Sequence, residues 1–77
     1  INIKFDLIFL DPPFLKKNIN KIIDKIYDMK ILNDGALIII HRNKNTYEKY
    51  SEKLEELRVE KYGKSKIIFS KISDLFN

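Results

Sequence analysis

The chain has 77 residues, no cysteine, one histidine, two glycines and two prolines, with 44% hydrophobic residues and a net charge of +4. That length is near the lower limit for a single core without staples, and the composition is that of a globular domain rather than a disordered one. Disulfides, thiolate metal sites and histidine metal clusters are excluded, and the apolar runs fall far short of the roughly 18 residues that a membrane span needs. A cysteine-free chain suits a reducing, cytoplasmic compartment. Opening at Ile1 rather than Met suits a piece of a longer protein.

The first predicted element covers residues 5–10, where Leu7 to Leu10 form the continuous apolar run of a strand buried on both faces. Asp11-Pro12-Pro13-Phe14 follows. Neither proline has a backbone N–H and each fixes φ near −65°, so the strand must stop at Asp11. Lys16 and Lys17 come directly after. Residues 17–30 read as a helix, capped by Asn18 or Asn20, with Ile19, Ile22, Ile23 and Ile26 on one apolar stripe.

Asn33-Asp34-Gly35 predicts a turn with a left-handed residue, and residues 36–40 a second buried strand that runs into His41-Arg42. A right-handed crossover places both strand ends on one edge. Asn45 and Glu48 have capping-box spacing, which predicts a second helix over 46–56 with Tyr47, Tyr50, Leu54 and Leu57 on its apolar stripe. Residues 58–62 and 66–72 then read as an antiparallel hairpin joined at Gly63-Lys64-Ser65, and the tail is expected to fray from Ser73. The chain is one domain, or one piece of one, of α/β class: about four strands, two parallel plus a hairpin, with two helices. Such a half-sheet leaves the first strand as a long apolar edge in need of a cover.

The chemistry concentrates at Asp11-Pro12-Pro13-Phe14. A carboxylate and a backbone carbonyl are pure acceptors, able to take both hydrogens of an exocyclic amino group and turn its lone pair toward an electrophile. The Phe14 ring can stack on a planar base held out of its helix. Two successive prolines stiffen the turn, so the acceptors need little reorganisation. Asp-Pro is also a common turn initiator, and Pro-Pro can simply end a strand. The preceding apolar strand favours the chemical reading, because ligands bind at the carboxyl ends of strands in open α/β sheets. The positive charge points mildly to a polyanionic partner, with Lys16, Lys17, Arg42 and Lys44 expected on that same edge as phosphate contacts. A serine-nucleophile triad would need His41 as its base, and none of the serines at 51, 65, 70 and 73 has a nucleophile-elbow setting.

Asp11-Pro12-Pro13-Phe14 resembles the fourth motif of S-adenosylmethionine-dependent amino methyltransferases. With Asn33-Asp34-Gly35 leading into Ala36–Ile40, and Tyr62-Gly63 leading into the closing apolar strand, residues 3–72 resemble the carboxyl-terminal half of the bacterial 16S ribosomal RNA guanine-N2 methyltransferase family. The resemblance implies a Rossmann-like sheet and S-adenosylmethionine as cofactor. It also implies a ribosomal RNA or small-subunit precursor particle as partner, and a separate amino-terminal half of the same domain that holds the cofactor. Asp11 and the Pro12 carbonyl would accept the guanine 2-amino hydrogens, Phe14 would stack on the flipped base, and Asp11 would also face the cofactor. This chain departs from the family in having His41-Arg42 where an acidic residue is usual, and in lacking a Gly-rich cofactor loop. An adenine-N6 methyltransferase, a non-catalytic RNA-binding piece and an interaction module stand as alternatives.

Overall fold

The structure is a computed structural model that describes residues 3–11 and 19–76. Strand β1 spans Phe5–Leu10, helix α1 Ile19–Met29, and strands β2, β3 and β4 span Leu32–Asn43, Leu54–Tyr62 and Ser65–Ile72; a short 3-10 turn covers Asp74–Phe76. The four strands make one sheet in the order β1-β2-β4-β3. β1 runs parallel to β2, as a helical crossover requires, and the other pairings are antiparallel. Among the described residues, no helix is long and apolar enough to cross a membrane.

Three of the four isoleucines of the predicted stripe of α1 are buried, and Ile22 is half-buried. Ile19, Ile23 and Ile26 are buried, and Ile19 and Ile23 meet Ile38, Ile40, Ile68 and Ile72 of β2 and β4. These residues alternate along their strands, so one sheet face forms the core with α1. Among the described residues, no element covers the other face. Phe5, Leu7 and Phe9 are 47%, 52% and 55% exposed, which corrects the expectation of a strand buried on both faces. The reason is geometric: β1 is an edge strand, and α1 covers only the face that carries Ile8 and Leu10.

Asn33-Asp34-Gly35 does not precede β2 but lies within it. Phe5 pairs with Leu32 and Leu7 with Leu37, so two steps of β1 run against five of β2 and the excess bulges out. Gly35 takes the left-handed φ of 74° there, and Asn33 Nδ2 donates to Asp6 Oδ1 at 2.8 Å. The hairpin between β3 and β4 turns on Gly63 and Lys64 alone, with Tyr62 paired to Ser65 and Gly63 supplying a φ of 54°.

The second predicted helix is absent, so the described residues hold one α-helix rather than two. Residues 44–53 run irregularly instead, and Leu54 and Leu57 belong to β3. Two tertiary ties overrule the capping box. Glu48 turns to Arg42 instead of back to Asn45, and Asn20 of α1 donates from Nδ2 to the Lys49 carbonyl while accepting the Ser51 N–H at Oδ1. The tail is also ordered beyond Ser73: the Phe76 ring sits edge-on to Tyr27 at 6.2 Å, and the Tyr27 hydroxyl donates to the Phe76 carbonyl at 2.6 Å.

Candidate active site

The parallel register places Leu10 beside Ile40, so Asp11 arrives next to His41 at the carboxyl edge of the sheet. Both side chains lie on the open face, since each is two residues beyond an open-face neighbour, Phe9 and Ile39. His41 pairs across with Ile67 of β4, and Ser65, two residues earlier on β4, shares that face. Three side chains thus meet. His41 Nδ1 lies 3.0 Å from Asp11 Oδ1, and His41 Nε2 lies 2.9 Å from Ser65 Oγ. Asp11 is 58% exposed and His41 33%, so the carboxylate is open to an incoming donor while the imidazole is half-covered.

Asp11 is where the sequence places it. Pro12, Pro13, Phe14, Lys16 and Lys17 lie outside the described residues. Arg42 requires a correction: it is 3% exposed, and its guanidinium forms a bidentate pair with Glu48 at 2.7 and 2.9 Å instead of facing solvent as a phosphate contact. The cause is alternation. Arg42 shares the α1 face with Ile38 and Ile40, whereas His41 takes the open face. A buried guanidinium needs charge-assisted partners, and Glu48 supplies one. The Tyr50 hydroxyl donates to the same Glu48 at 2.9 Å; burial pushes that hydroxyl well above the usual phenol range, and Glu48 pushes it the same way.

Among the basic residues of the edge, Lys44 and Lys64 are brought together by a Lys44 N–H to Lys64 carbonyl bond of 2.8 Å, and both are exposed. Lys66 turns away, donating to the Thr46 carbonyl at 2.8 Å. A cavity of about 330 Å³ opens at the opposite end of the sheet, between Lys4, Tyr27, Lys30 and Phe76, far along the strands from Asp11.

Sequence reasoning did not assign a role to His41, and it placed Ser65 only in the hairpin turn and among the serines without a nucleophile-elbow setting. One signal was present: strands whose carboxyl ends share an edge must bring the residues after Leu10 and Ile40 side by side. Ser65 carried no such signal, because its approach depends on the antiparallel register of β4.

The connectivity Asp11–His41–Ser65 is that of an acyl-transfer triad. Ser65, however, opens a regular strand, paired with Tyr62 on one side and Asn43 on the other. It does not have the positive φ of a strained turn; Lys30 alone does among the described non-glycine residues. The nucleophile-elbow setting is missing here.

A mixed sheet of this order, with its helix on one face and a carboxylate at the carboxyl end of the parallel pair, defines the class: an α/β fold with the form of one half of a Rossmann-like sheet. A conserved hypothetical protein from Streptococcus pyogenes superposes with a TM-score of 0.77 at 23% identity, over 100% of this chain and 48% of that one. The Escherichia coli protein yhhF, whose name proposes a methyltransferase, gives a TM-score of 0.72 at 21% identity, over 91% of this chain and 40% of that one. The family model described as Conserved hypothetical protein 95 matches residues 1–71, and the chain belongs to that family. Uncharacterized methylase RP545 of Rickettsia prowazekii (strain Madrid E) is 31% identical over 69 residues, which are 90% of this chain and 29% of that protein. The chain therefore spans less than half the length of each of these relatives.

Proposed function

We propose that this chain is the base-binding half of an S-adenosylmethionine-dependent methyltransferase acting on the 2-amino group of a guanine in small-subunit ribosomal RNA. The observation that carries the reading is the exposed Asp11 carboxylate at the end of β1, on the sheet edge of a family with methylase-named relatives. The residues present fit the cofactor only in part. Asp11 fits as an acceptor facing it, but Gly35 lies in the bulge of β2 and Gly63 in a hairpin, so neither forms a Gly-rich cofactor loop. The main cofactor site is assigned to the part of the relatives that this chain does not span.

S-adenosylmethionine, when bound, supplies an electrophilic methyl group. The chain's own residues prepare the nucleophile. The lone pair of an exocyclic amino group is delocalised into its ring and attacks poorly until its hydrogens are held out of plane. Asp11 takes one hydrogen, and the Pro12 carbonyl is proposed to take the other. The nitrogen becomes positively charged as it gains carbon, and the nearby carboxylate stabilises that charge and receives the proton it must lose. Phe14 is proposed to stack on the flipped base. Lys44 and Lys64, together with Lys16 and Lys17, are proposed as phosphate contacts that fix register. The exposed edge strand β1, which bears Phe5, Leu7 and Phe9, is where the cofactor-binding half would pair.

The test is nucleoside analysis of small-subunit RNA, free and in precursor particles, after incubation with cofactor and this chain joined to a cofactor-binding half. The expected product is N2-methylguanosine, with Asp11→Ala lowering turnover by about 10²-fold or more while RNA affinity is largely kept. N6-methyladenosine would replace the substrate assignment. Full turnover in Asp11→Ala would overturn the acceptor mechanism.

A further inference from the structure

We propose that His41 is a positioning residue for Asp11, held in one tautomer by Ser65; this role rests on the methyltransferase reading above. Donor and acceptor chemistry sets the direction of both contacts. An ionised carboxylate only accepts, so the 3.0 Å contact requires a proton on Nδ1 of His41. A neutral ring then has only a lone pair on Nε2, and the 2.9 Å contact requires the Ser65 hydroxyl to donate. The chain of donation runs one way, from Ser65 to His41 to Asp11. Free histidine prefers the other tautomer, with its proton on Nε2. Ser65 reverses that preference by occupying Nε2 as a donor.

The consequence for Asp11 is directional. His41 engages Oδ1 and leaves Oδ2 for the substrate amino group. A carboxylate that is 58% exposed at a strand end would otherwise rotate about its side-chain bonds. Fixing it before substrate arrives removes reorganisation from the reacting step. The three residues come from the end of β1, from β2 and from β4, so their convergence depends on sheet register and not on a local motif. Because both ends of the Asp11 contact are partly solvated, the contact adds little to stability, and its effect should appear in turnover.

Three measurements test the proposal. The chain has one histidine, so long-range ¹H–¹⁵N correlation spectra of the full chain report the His41 tautomer without ambiguity. The expected result at neutral pH is a proton on Nδ1, with Ser65→Ala shifting the ring toward the Nε2-protonated form. An Nε2-protonated ring in the unaltered chain would overturn the proposal, whatever reaction the protein performs. The second measurement is methyl transfer by the assembled enzyme. His41→Phe should lower kcat about 10- to 100-fold, with KM for RNA and the melting temperature nearly unchanged. His41→Asn, whose amide N–H can stand where Nδ1 stood, should restore most of kcat, and His41→Gln should not. Equal losses in the Phe and Asn variants would reject positioning through Nδ1. Covalent labelling of Ser65 by a fluorophosphonate would show an activated nucleophile and overturn the assigned direction of donation. A fully assembled enzyme that transfers no methyl group would remove both the functional reading and this role, and the tautomer would then report the hydrogen-bond chain alone.

Discussion

Arg42 and Glu48 are joined by two hydrogen bonds, Nε to Oε2 at 2.7 Å and Nη2 to Oε1 at 2.9 Å, with the guanidinium buried and the carboxylate 21% exposed. This pair ties the end of β2 to the irregular segment 44–53 and gives Tyr50 its acceptor. Removing the carboxylate takes from the buried guanidinium the counter-charge that Glu48 supplies. Glu48→Ala should therefore destabilise the fold by about 3 kcal/mol, and Glu48→Gln, which keeps an acceptor, by less. Urea unfolding followed by circular dichroism would measure both.

Tyr50 makes the same cluster sensitive to alkali. Its folded-state hydroxyl titrates above the ordinary phenol value of 10.0, first through burial and then through Glu48. A raised folded value means that this contribution is complete below the unfolded phenol value and is lost as pH rises beyond it. Stability should fall above pH 10 or so, and Tyr50→Phe should flatten that part of the profile. Melting temperatures of both proteins from pH 8 to pH 11 provide the check.

Two residues share a left-handed backbone but differ in chemistry. Lys30 follows α1 with φ 54°, and Gly63 turns the β3–β4 hairpin with the same φ. A side chain costs about 1 kcal/mol in that region. Lys30→Gly should raise stability by up to about 1 kcal/mol, and Gly63→Ala should lower it by a similar amount. No atom lies within 4 Å of a Cβ built on Gly63, so that loss would be backbone strain and not a clash, and Gly63→Asn should cost less. Thermal unfolding distinguishes the three.

The open sheet face is a solubility problem for the chain by itself. Phe5, Leu7 and Phe9 stand exposed in a row on an edge strand. Leu7→Lys should reduce self-association while leaving the unfolding free energy within about 0.5 kcal/mol of its starting value, because it removes no contact with α1. Sedimentation velocity at increasing concentration would show the change. The same substitution should weaken association with a cofactor-binding half.

By itself, the sequence determined whatever depends on near neighbours along the chain. The isoleucine spacing in α1, the stop of β1 at Asp11, the positive φ at Gly35 and the hairpin at Gly63 all follow from local sterics and periodicity. So does the placement of Asp11 at a sheet edge, since a strand ended by proline has nowhere else to put its last side chain. Tertiary structure decided the choices between competing partners. Asn45 and Glu48 were a sound capping box until a guanidinium buried on the α1 face needed the same carboxylate. Asn20, a cap candidate by type, instead holds the backbone of residues 49–51 from within α1. Which of His41 and Arg42 faces the open site, and which is sealed beneath it, rests on one step of register. A slip of one residue exchanges the two faces of a strand, and only the packing of the whole sheet fixes that step.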